Sequence, residues 1–214
     1  MIYFDNNSTT RVFQSTVEAM RPFLTEHFAN PASAIAQFGR IPQSIQANKA
    51  RLAKALGADA PDQLVITSGA TESNNLALLG TARAAPNRRH VIVSSIEHPS
   101  VMEVCELLRA DGYRISTLPV RPEGIVDEEA LAGMLAVDTL LVSVMLANNE
   151  TGVIQPVGSL AKTVKRRDPA VLIHTDATQA VGKMPIDLSG YLAEVDLLSL
   201  SAHKFHGPKG TGAL

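Results

Sequence analysis

Six short runs rich in β-branched and other apolar residues alternate with stretches of helical periodicity from about residue 40 onward. Such alternation of strands with crossover helices predicts a parallel sheet. The run from Leu140 to Met145 is apolar at nearly every position, as expected for a strand covered by helices on both faces. We therefore predict an α/β fold with three layers, α/β/α, and a mostly parallel sheet, with strands at 63–67, 90–94, 113–118, 139–146, 170–174 and 195–200.

The first 60 residues have a different pattern. They combine an extended start, a helix near residues 15–28, a break at Asn30 and Pro31, and a further helix from about Pro42. We interpret this segment as an arm that crosses the sheet. The predicted organisation is an N-terminal arm with helices at residues 1–60 and one main domain at residues 61–214, without internal repeats or a low-complexity linker.

Composition and charge argue against several kinds of partner. The chain has 214 residues, of which 45% are hydrophobic and 19% charged, and its net charge is −2. The longest basic block runs from Lys165 to Arg167, so neither nucleic acid nor an anionic membrane is an expected partner. No apolar run approaches the roughly 20 residues that span a bilayer. The single cysteine, Cys105, cannot form an intrachain disulfide, which agrees with a reducing compartment and predicts a cytoplasmic location.

Lys204 and Asp176 are the residues that point to a chemistry. Each follows an apolar run that is predicted to be a strand, and open α/β sheets gather their ligand contacts at the strand ends. A lysine there can form a Schiff base, and a carboxylate can pair with a protonated pyridine nitrogen. The two together predict pyridoxal phosphate (PLP) as cofactor. The alternatives are a surface lysine in a loop and an aspartate that caps the next helix.

A phosphate site is predicted in the loop at residues 67–75, which joins a strand to a helix. Its small residues, among them Ala70 and Thr71, leave backbone N–H groups exposed at the positive end of the helix. Ser201 and His203, beside Lys204 in the sequence, are expected to complete this cup. Ser, Gly and Thr in such a loop are also typical of an ordinary turn and helix cap.

Three further side chains are candidates for contacts with the cofactor ring. His98 lies at a strand-to-helix junction, from which its imidazole could stack on the ring and move protons, or simply cap the helix. Asn148 follows the long strand and could reach the ring oxygen, although turn chemistry explains this segment as well. Gln179, three residues after Asp176, could donate to the same oxygen or be a solvated polar residue.

Neither Cys105 nor a metal ion is expected to take part in the chemistry. Cys105 lies inside a predicted helix and is interpreted as structural, because a nucleophilic thiol needs access and an activated thiolate. His203 and His206 are three residues apart but have no carboxylate or cysteine beside them, so no metal site is predicted.

With these motifs in place, the chain resembles the cysteine desulfurases, PLP enzymes of fold type I. It is most similar to the branch that serves general and nitrogenase-linked iron–sulfur assembly. The resemblance extends over essentially the whole chain and is carried by the segments 3–10, 67–75, 97–98, 148–152, 174–182 and 201–212. It implies the large domain of a PLP-dependent transferase of the class-V aminotransferase type. Residues 61–214 are then the PLP-binding domain.

The resemblance also implies a role for each candidate residue. Lys204 would form the Schiff base, Asp176 would pair with the pyridine nitrogen, and His98 would stack on the ring. Binding of the cofactor phosphate is implied for four residues, Ala70, Thr71, Ser201 and His203. Contacts with the ring oxygen are implied for Asn148 and Gln179.

The activity implied by the resemblance begins with L-cysteine and ends with L-alanine. Sulfur passes as a persulfide through a mobile cysteine to an acceptor or scaffold protein, for assembly of iron–sulfur clusters or other sulfur-containing cofactors, and the enzyme is a homodimer. Cys105 matches the helix after the histidine motif rather than the nucleophile of the family. That nucleophile, the arginine for the substrate carboxylate and the small C-terminal domain would all follow residue 214. We therefore expect a fragment, an incomplete gene model or half of a split enzyme, truncated before the small domain, whose isolated chain lacks turnover.

Some details depart from the family pattern, and other functions stay open. Relatives usually carry a histidine where this chain has Ala36, and Ser8 replaces a common alanine. The segment 210–214 falls where the next strand of the family begins, which predicts an unpaired sheet edge. The alternative functions are another PLP lyase or transferase, such as a selenocysteine lyase or an amino-acid epimerase relative, and a non-catalytic binding or dimerisation module that retains the cofactor pocket.

Overall fold

The structure is a computed structural model that describes residues 2–37 and 40–214. Its helices are α1 (Gln14–Thr25), α2 (Ile41–Leu56), α3 (Ala70–Ala84), α4 (Pro99–Ala110), α5 (Glu128–Met134) and α6 (Val157–Arg167). Its strands are β1 (Ile66–Thr67), β2 (His90–Ser94), β3 (Arg114–Leu118), β4 (Thr139–Ser143), β5 (Leu172–Asp176), β6 (Leu197–Ser201) and β7 (Gly212–Ala213). None of the helices in the described ranges is long and apolar enough to cross a membrane.

The strands form one sheet of seven in the order β1-β7-β6-β5-β4-β2-β3. The pairs β2–β3, β2–β4, β4–β5 and β5–β6 are parallel, whereas β7 runs antiparallel to both of its neighbours, β1 and β6. The prediction of an α/β fold with a mostly parallel sheet is confirmed. The carboxyl ends of β4, β5 and β6 therefore lie at one edge of the sheet, which is where ligands bind in open sheets of this kind.

Helices cover both faces of this sheet. In β2, Val91 and Val93 belong to a core cluster that contains residues of α3 and α4. Ile92 between them belongs to a second cluster, which contains residues of α2, α5 and α6. Because successive side chains of a strand point to opposite faces, the sheet is the middle one of three layers. The three-layer prediction is confirmed, and the burial of all five residues in β2 and in β4 follows from it.

Several strand boundaries differ from the predicted ones. β1 contains only Ile66–Thr67, and the predicted start at residue 63 is wrong because Gln63 ends the short 3-10 helix Pro61–Gln63. β4 ends at Ser143 instead of residue 146, although the backbone N–H groups of Val144 and Leu146 still donate to β5. β5 runs two residues further than predicted, so Asp176 is the last residue of the strand and does not follow it. The acceptor of the Leu146 N–H, at 2.9 Å, is the carbonyl of Asp176 itself.

The predicted unpaired edge at residues 210–214 is wrong for this fold. β7 lies inside the sheet, between β1 and β6, and Val65 and Leu214 extend the ladder with reciprocal N–H···O bonds of 2.8 and 2.9 Å. The close approach requires glycine, since a Cβ on Gly212 would lie 2.5 Å from the Cα of Gly69. Among the described strands, β1 and β3 form the two edges.

The N-terminal segment lies along the turn that follows β6. The N–H of Thr10 donates to the carbonyl of His203 at 2.8 Å, and the N–H of Phe13 donates to that of His206 at 3.1 Å. α1, which follows, has no buried residue, whereas Ala36 is fully buried. The segment thus contacts the main domain at the end of β6, while the division into residues 1–60 and 61–214 stays a prediction.

Candidate cofactor site

A cavity of about 600 Å³ opens at the carboxyl edge of the sheet. It is lined by all the predicted site residues except Asn148, namely Ala70, Thr71, His98, Asp176, Gln179, Ser201, His203 and Lys204. Residues from the N-terminal segment, including Asn7, Ser8 and Thr9, also line it. The fold therefore brings together side chains that are spread over almost 200 positions of the sequence. The predicted residues among them were expected to meet because they lie at or near the ends of parallel strands.

Lys204 reaches this cavity from the short 3-10 turn that follows β6. Its Nζ donates to the carbonyl oxygens of Asn7 at 2.6 Å and Ser8 at 2.8 Å. Burial lowers the pKa of the ammonium group, while the charges of Asp176 and Asp5 oppose that shift. The lysine is therefore a half-buried amine that is held by carbonyl groups and has a pKa below its ordinary value, which favours its use as a nucleophile toward a carbonyl compound.

Asp176 is buried at the end of β5. Its Oδ1 accepts the backbone N–H of Thr178, and its Oδ2 accepts the side-chain amide of Asn74, both at 2.9 Å. The described residues between β5 and β6 contain no helix, so the Oδ1 bond closes a turn and does not cap a helix, and the carboxylate also lines the cavity. A buried acceptor with fixed partners is suited to bind a protonated ring nitrogen.

The loop before α3 forms the predicted phosphate cup. α3 begins at Ala70, so the N–H groups of its first turn have no helical acceptors and face the cavity together with Thr71. Ser201 lies beside this loop, since a Cβ on Gly69 would be 3.5 Å from the Ser201 Oγ. Glu72 also lines the cavity, and its carboxylate accepts the N–H of Ser68 at 2.6 Å; the side-chain hydroxyl and then the backbone N–H of Ser68 hold its pKa below the ordinary range.

His203 lies between the cup and the N-terminal segment. Its Nδ1 is 3.0 Å from the Oγ1 of Thr9, and its carbonyl accepts both the N–H and the hydroxyl of Thr10. Burial and the positive charges of Lys204 and Lys209 lower the pKa of its imidazole. The contacts with Thr9 and Thr10 were not predicted, because they depend on how the first residues lie against the turn that follows β6.

His98 has the capping contact that its sequence position allowed, while stacking on a cofactor ring stays a prediction. It is the N-cap of α4, where its Nδ1 accepts the backbone N–H of Ser100 at 3.1 Å, and its exposed ring also lines the cavity. Because the cap fixes Nδ1, the ring is presented to the cavity in a defined orientation.

Asn148 and Gln179 make other contacts than the predicted ones. The Asn148 amide donates to the carbonyl of Ile96, and its oxygen accepts the N–H groups of Glu150 and Thr151, so the turn interpretation describes its contacts. Asn149, the next residue, lines the cavity instead. Gln179 does line the cavity, but its amide donates to Asn7 O at 2.7 Å. A bond from either residue to a ring oxygen stays a prediction.

Sequence reasoning missed a buried acid directly behind this site. Glu97 is 8% exposed, and its Oε1 accepts the Ser94 hydroxyl and the Met145 N–H, both at 2.6 Å. Burial and, to a smaller extent, the charge of Asp176 raise its pKa to about 7, against the lowering effect of the hydrogen bonds from Ser94 and Met145. Its position beside His98 at a strand-to-helix junction was the available signal, but a carboxylate there is ordinarily solvated.

Cys105 lies outside the cavity and is fully buried in α4. Burial, together with the charge of Glu97, raises the pKa of its thiol to about 12. The structural interpretation of Cys105 fits this position. In residues 2–37 and 40–214, no group of three His, Cys, Asp or Glu side chains is arranged to hold a metal ion, and the absence of a metal site stays a prediction.

The donor set of the cavity fits PLP. The amine of Lys204 suits an aldehyde, the buried carboxylate of Asp176 suits a protonated pyridine nitrogen, and the first turn of α3 with Ser201 suits a phosphate. An amine, a carboxylate and a set of backbone N–H donors thus line one cavity. A cofactor that carries an aldehyde, a pyridine nitrogen and a phosphate requires this combination.

Comparison with known proteins agrees with this site. A family model described as aminotransferase class-V matches residues 2–214. A cysteine desulfurase of Cereibacter sphaeroides is 46% identical over 100% of this chain and 54% of its own length, and the cysteine desulfurase NifS of Azotobacter vinelandii is 42% identical over 100% and 52%. The chain therefore spans about half the length of the curated relatives it matches.

Solved structures give the same result. A NifS-like protein superposes with a TM-score of 0.93 at 41% identity, over 99% of this chain and 57% of its own. A structure described as SspA in complex with cysteine gives a TM-score of 0.93 at 34% identity, over 100% and 60%. The chain belongs to the class-V aminotransferase family, whose cofactor is PLP, and within that family it groups with the cysteine desulfurases.

Proposed function

We propose that this chain carries the cofactor site of a PLP-dependent cysteine desulfurase, which converts L-cysteine to L-alanine and passes the sulfur on. The observation that carries the proposal is the meeting of Lys204, Asp176 and the first turn of α3 in one cavity. Relatives that are named cysteine desulfurase support this substrate and reaction.

Each residue has a distinct task in this proposal. Lys204 would hold the cofactor covalently, and Asp176 would keep a proton on the pyridine nitrogen. Ser201, His203, Ala70 and Thr71 would bind the phosphate, and His98 would pack against the ring. The cofactor, when bound, supplies an electron sink for bond breaking at the substrate α-carbon. The protein supplies its orientation through Asp176 and Ser201, which are buried and line the cavity.

The sulfur-accepting thiol is not expected to be Cys105. Its side chain is fully buried, lies outside the cavity and has a strongly raised pKa, so it lacks both the access and the thiolate that sulfur transfer needs. We propose that the thiol comes from residues outside this chain, and that a scaffold or acceptor protein then takes the sulfur. A homodimer, a cytoplasmic location and a role in iron–sulfur cluster assembly belong to the same proposal.

Reductive labelling tests the cofactor site directly. The chain is incubated with PLP, reduced with borohydride, digested and mapped by mass spectrometry. We expect a pyridoxyl group on Lys204 and its loss in Lys204→Ala. Lys209→Ala is the matched control, because Lys209 lines the same cavity and its removal should leave the label on Lys204. Absence of label in a folded protein, or label spread over surface lysines, would refute the proposal.

A further inference from the structure

A line of hydrogen bonds joins the buried carboxylate of the site to its exposed imidazole. The Nδ2 of Asn74, on α3, donates to the Oδ2 of Asp176 and to the Oγ of Ser100, both at 2.9 Å. The Ser100 Oγ is in turn 2.9 Å from the Nδ1 of His98. Asn74 itself is fully buried. Two residues with no assigned role therefore connect Asp176 with His98.

The direction of each bond follows from which groups can donate. Asn74 uses both hydrogens of its amide nitrogen, so the Ser100 oxygen is an acceptor toward it and has its own hydrogen available for His98. The backbone N–H of Ser100 also donates to the same Nδ1, at 3.1 Å. A nitrogen that accepts two hydrogen bonds carries no proton. The proton of the neutral His98 ring must then be on Nε2.

The orientation of the Asn74 amide is set by Asp176. The Oδ1 of Asn74 is buried and has no hydrogen-bond partner among the described residues. Turning the amide over would place this oxygen against the carboxylate oxygen of Asp176, so that two acceptors would face each other. The observed orientation keeps the donor on Asp176 and leaves the other oxygen unbonded. Such an uncompensated polar atom is uncommon in a protein core and is more often found where function requires it.

We propose that Asn74 and Ser100 are positioning residues: Asn74 holds the Asp176 carboxylate and, through the Ser100 hydroxyl, fixes the His98 ring with its proton on Nε2. The consequence for turnover rests on the proposed function. With Nδ1 engaged, His98 presents an N–H donor to whatever occupies the cavity, and it can accept a proton only after Nδ1 leaves Ser100. The tautomer itself is a property of the chain and does not depend on that function.

Nitrogen NMR of the full 214-residue chain with ¹⁵N-labelled histidine tests the tautomer. The chain has six histidines, and His98→Gln identifies the signals of His98. We expect the wild-type ring, at a pH where it is neutral, to be protonated on Nε2. Ser100→Ala should change the ratio of the Nε2–H to the Nδ1–H tautomer of His98 about fivefold in favour of the Nδ1–H form. This is the effect of losing one neutral hydrogen bond of ordinary strength. Ser100→Thr keeps the hydroxyl and should restore the wild-type ratio.

Ser116→Ala is the matched control for the serine variant. The Ser116 Oγ is 2.9 Å from the Nε2 of His90, so this change removes a serine hydroxyl from a different, buried histidine. It should move the signals of His90 and leave those of His98 in place. If the His98 signals changed equally in Ser100→Ala and Ser116→Ala, the change would reflect a general loosening of the fold. That result would overturn the proposal.

Asn74→Leu tests the connection to Asp176, because leucine has a similar volume and no donor. We expect the affinity for PLP, measured by equilibrium dialysis, to fall about tenfold, as for one lost hydrogen bond to a charged group. Ser100→Ala should change the tautomer while affecting PLP affinity less than Asn74→Leu does. Thermal unfolding establishes that each variant is folded.

The outcomes separate this proposal from the proposed function. A wild-type His98 with its proton on Nδ1, or a Ser100→Ala ratio equal to that of wild type, would overturn the positioning role. PLP affinity unchanged in a folded Asn74→Leu would overturn the connection to Asp176. Failure of the wild type to bind PLP would count against the proposed function, and the histidine signals would still decide the positioning of His98.

Discussion

Replacement of Glu97 by glutamine should make the protein less sensitive to pH. Burial raises the pKa of Glu97 from its ordinary value of 4.5 to about 7 in the folded chain, whereas the unfolded chain leaves it near 4.5. Folding therefore favours the protonated acid. This contribution to stability is fully present below pH 4.5 and is lost as the pH rises through about 7. At about 1.4 kcal/mol per pKa unit, the loss amounts to about 3 kcal/mol, most of it between pH 5 and 8.

Urea denaturation at several pH values measures this effect. Glutamine keeps an oxygen that can accept the bonds from Ser94 and Met145, and it does not titrate. The free energy of unfolding of Glu97→Gln should therefore rise relative to wild type by about 3 kcal/mol across the full range. Glu72→Gln is the control, because Glu72 is exposed and its pKa, ordinary in the unfolded chain and lowered in the folded one, leaves it mostly ionised in both states above pH 5. A difference between Glu97→Gln and wild type that is the same at pH 5 and 8 would refute the reasoning.

Three further predictions concern packing, the thiol and turnover. Gly212→Ala should lower the free energy of unfolding, measured in urea, by about 1–3 kcal/mol. The added Cβ would meet backbone atoms of Gly69 and Leu200, which cannot move aside as a flexible side chain could. Stability equal to wild type would contradict the close approach. Cys105 should react with iodoacetamide only after unfolding, which mass spectrometry checks, and rapid alkylation of the native chain would show that its thiol is accessible. The 214-residue chain with PLP, L-cysteine and a reductant should produce no alanine or sulfide unless another chain supplies the thiol, and chromatographic detection of alanine would count against this.

The fold could be predicted from the sequence where patterns are local. The apolar strands β2, β4, β5 and β6 are buried on both faces, and their sequences carry that information directly. β7 was not found, since two residues, Gly212 and Ala213, give no period, and its antiparallel insertion is decided by the partners it meets. The end of β5 was placed too early because Asp176 is polar, although its carbonyl still accepts a bond from β4.

Most residues of the site could be predicted because strand ends collect in one place, but their partners could not. Lys204 and Asp176 follow or end predicted strands, and that is sufficient to bring them together. The bond between Asn74 and Asp176 joins residues 102 positions apart, and the carbonyl acceptors of Lys204 lie 196 and 197 positions away. Such contacts follow from how the layers pack. The contacts of Asn148 could not be predicted either, because its side chain bonds to the turn in which it lies and to the carbonyl of Ile96.

The position of β7 has a consequence for the order in which the cofactor site can form during synthesis. β1, which leads into the phosphate loop, pairs with no other strand than β7 among the described ones. The loop at residues 67–75 is thus encoded early, but β1 joins the sheet only when residues 212–214 have been made and have entered between β1 and β6. A ribosome-bound chain that stops before them would contain every residue proposed to bind phosphate but would lack the strand that pairs with β1, so the loop would be held only from the side of α3. Formation of the site is therefore expected to be a late, non-local step of folding.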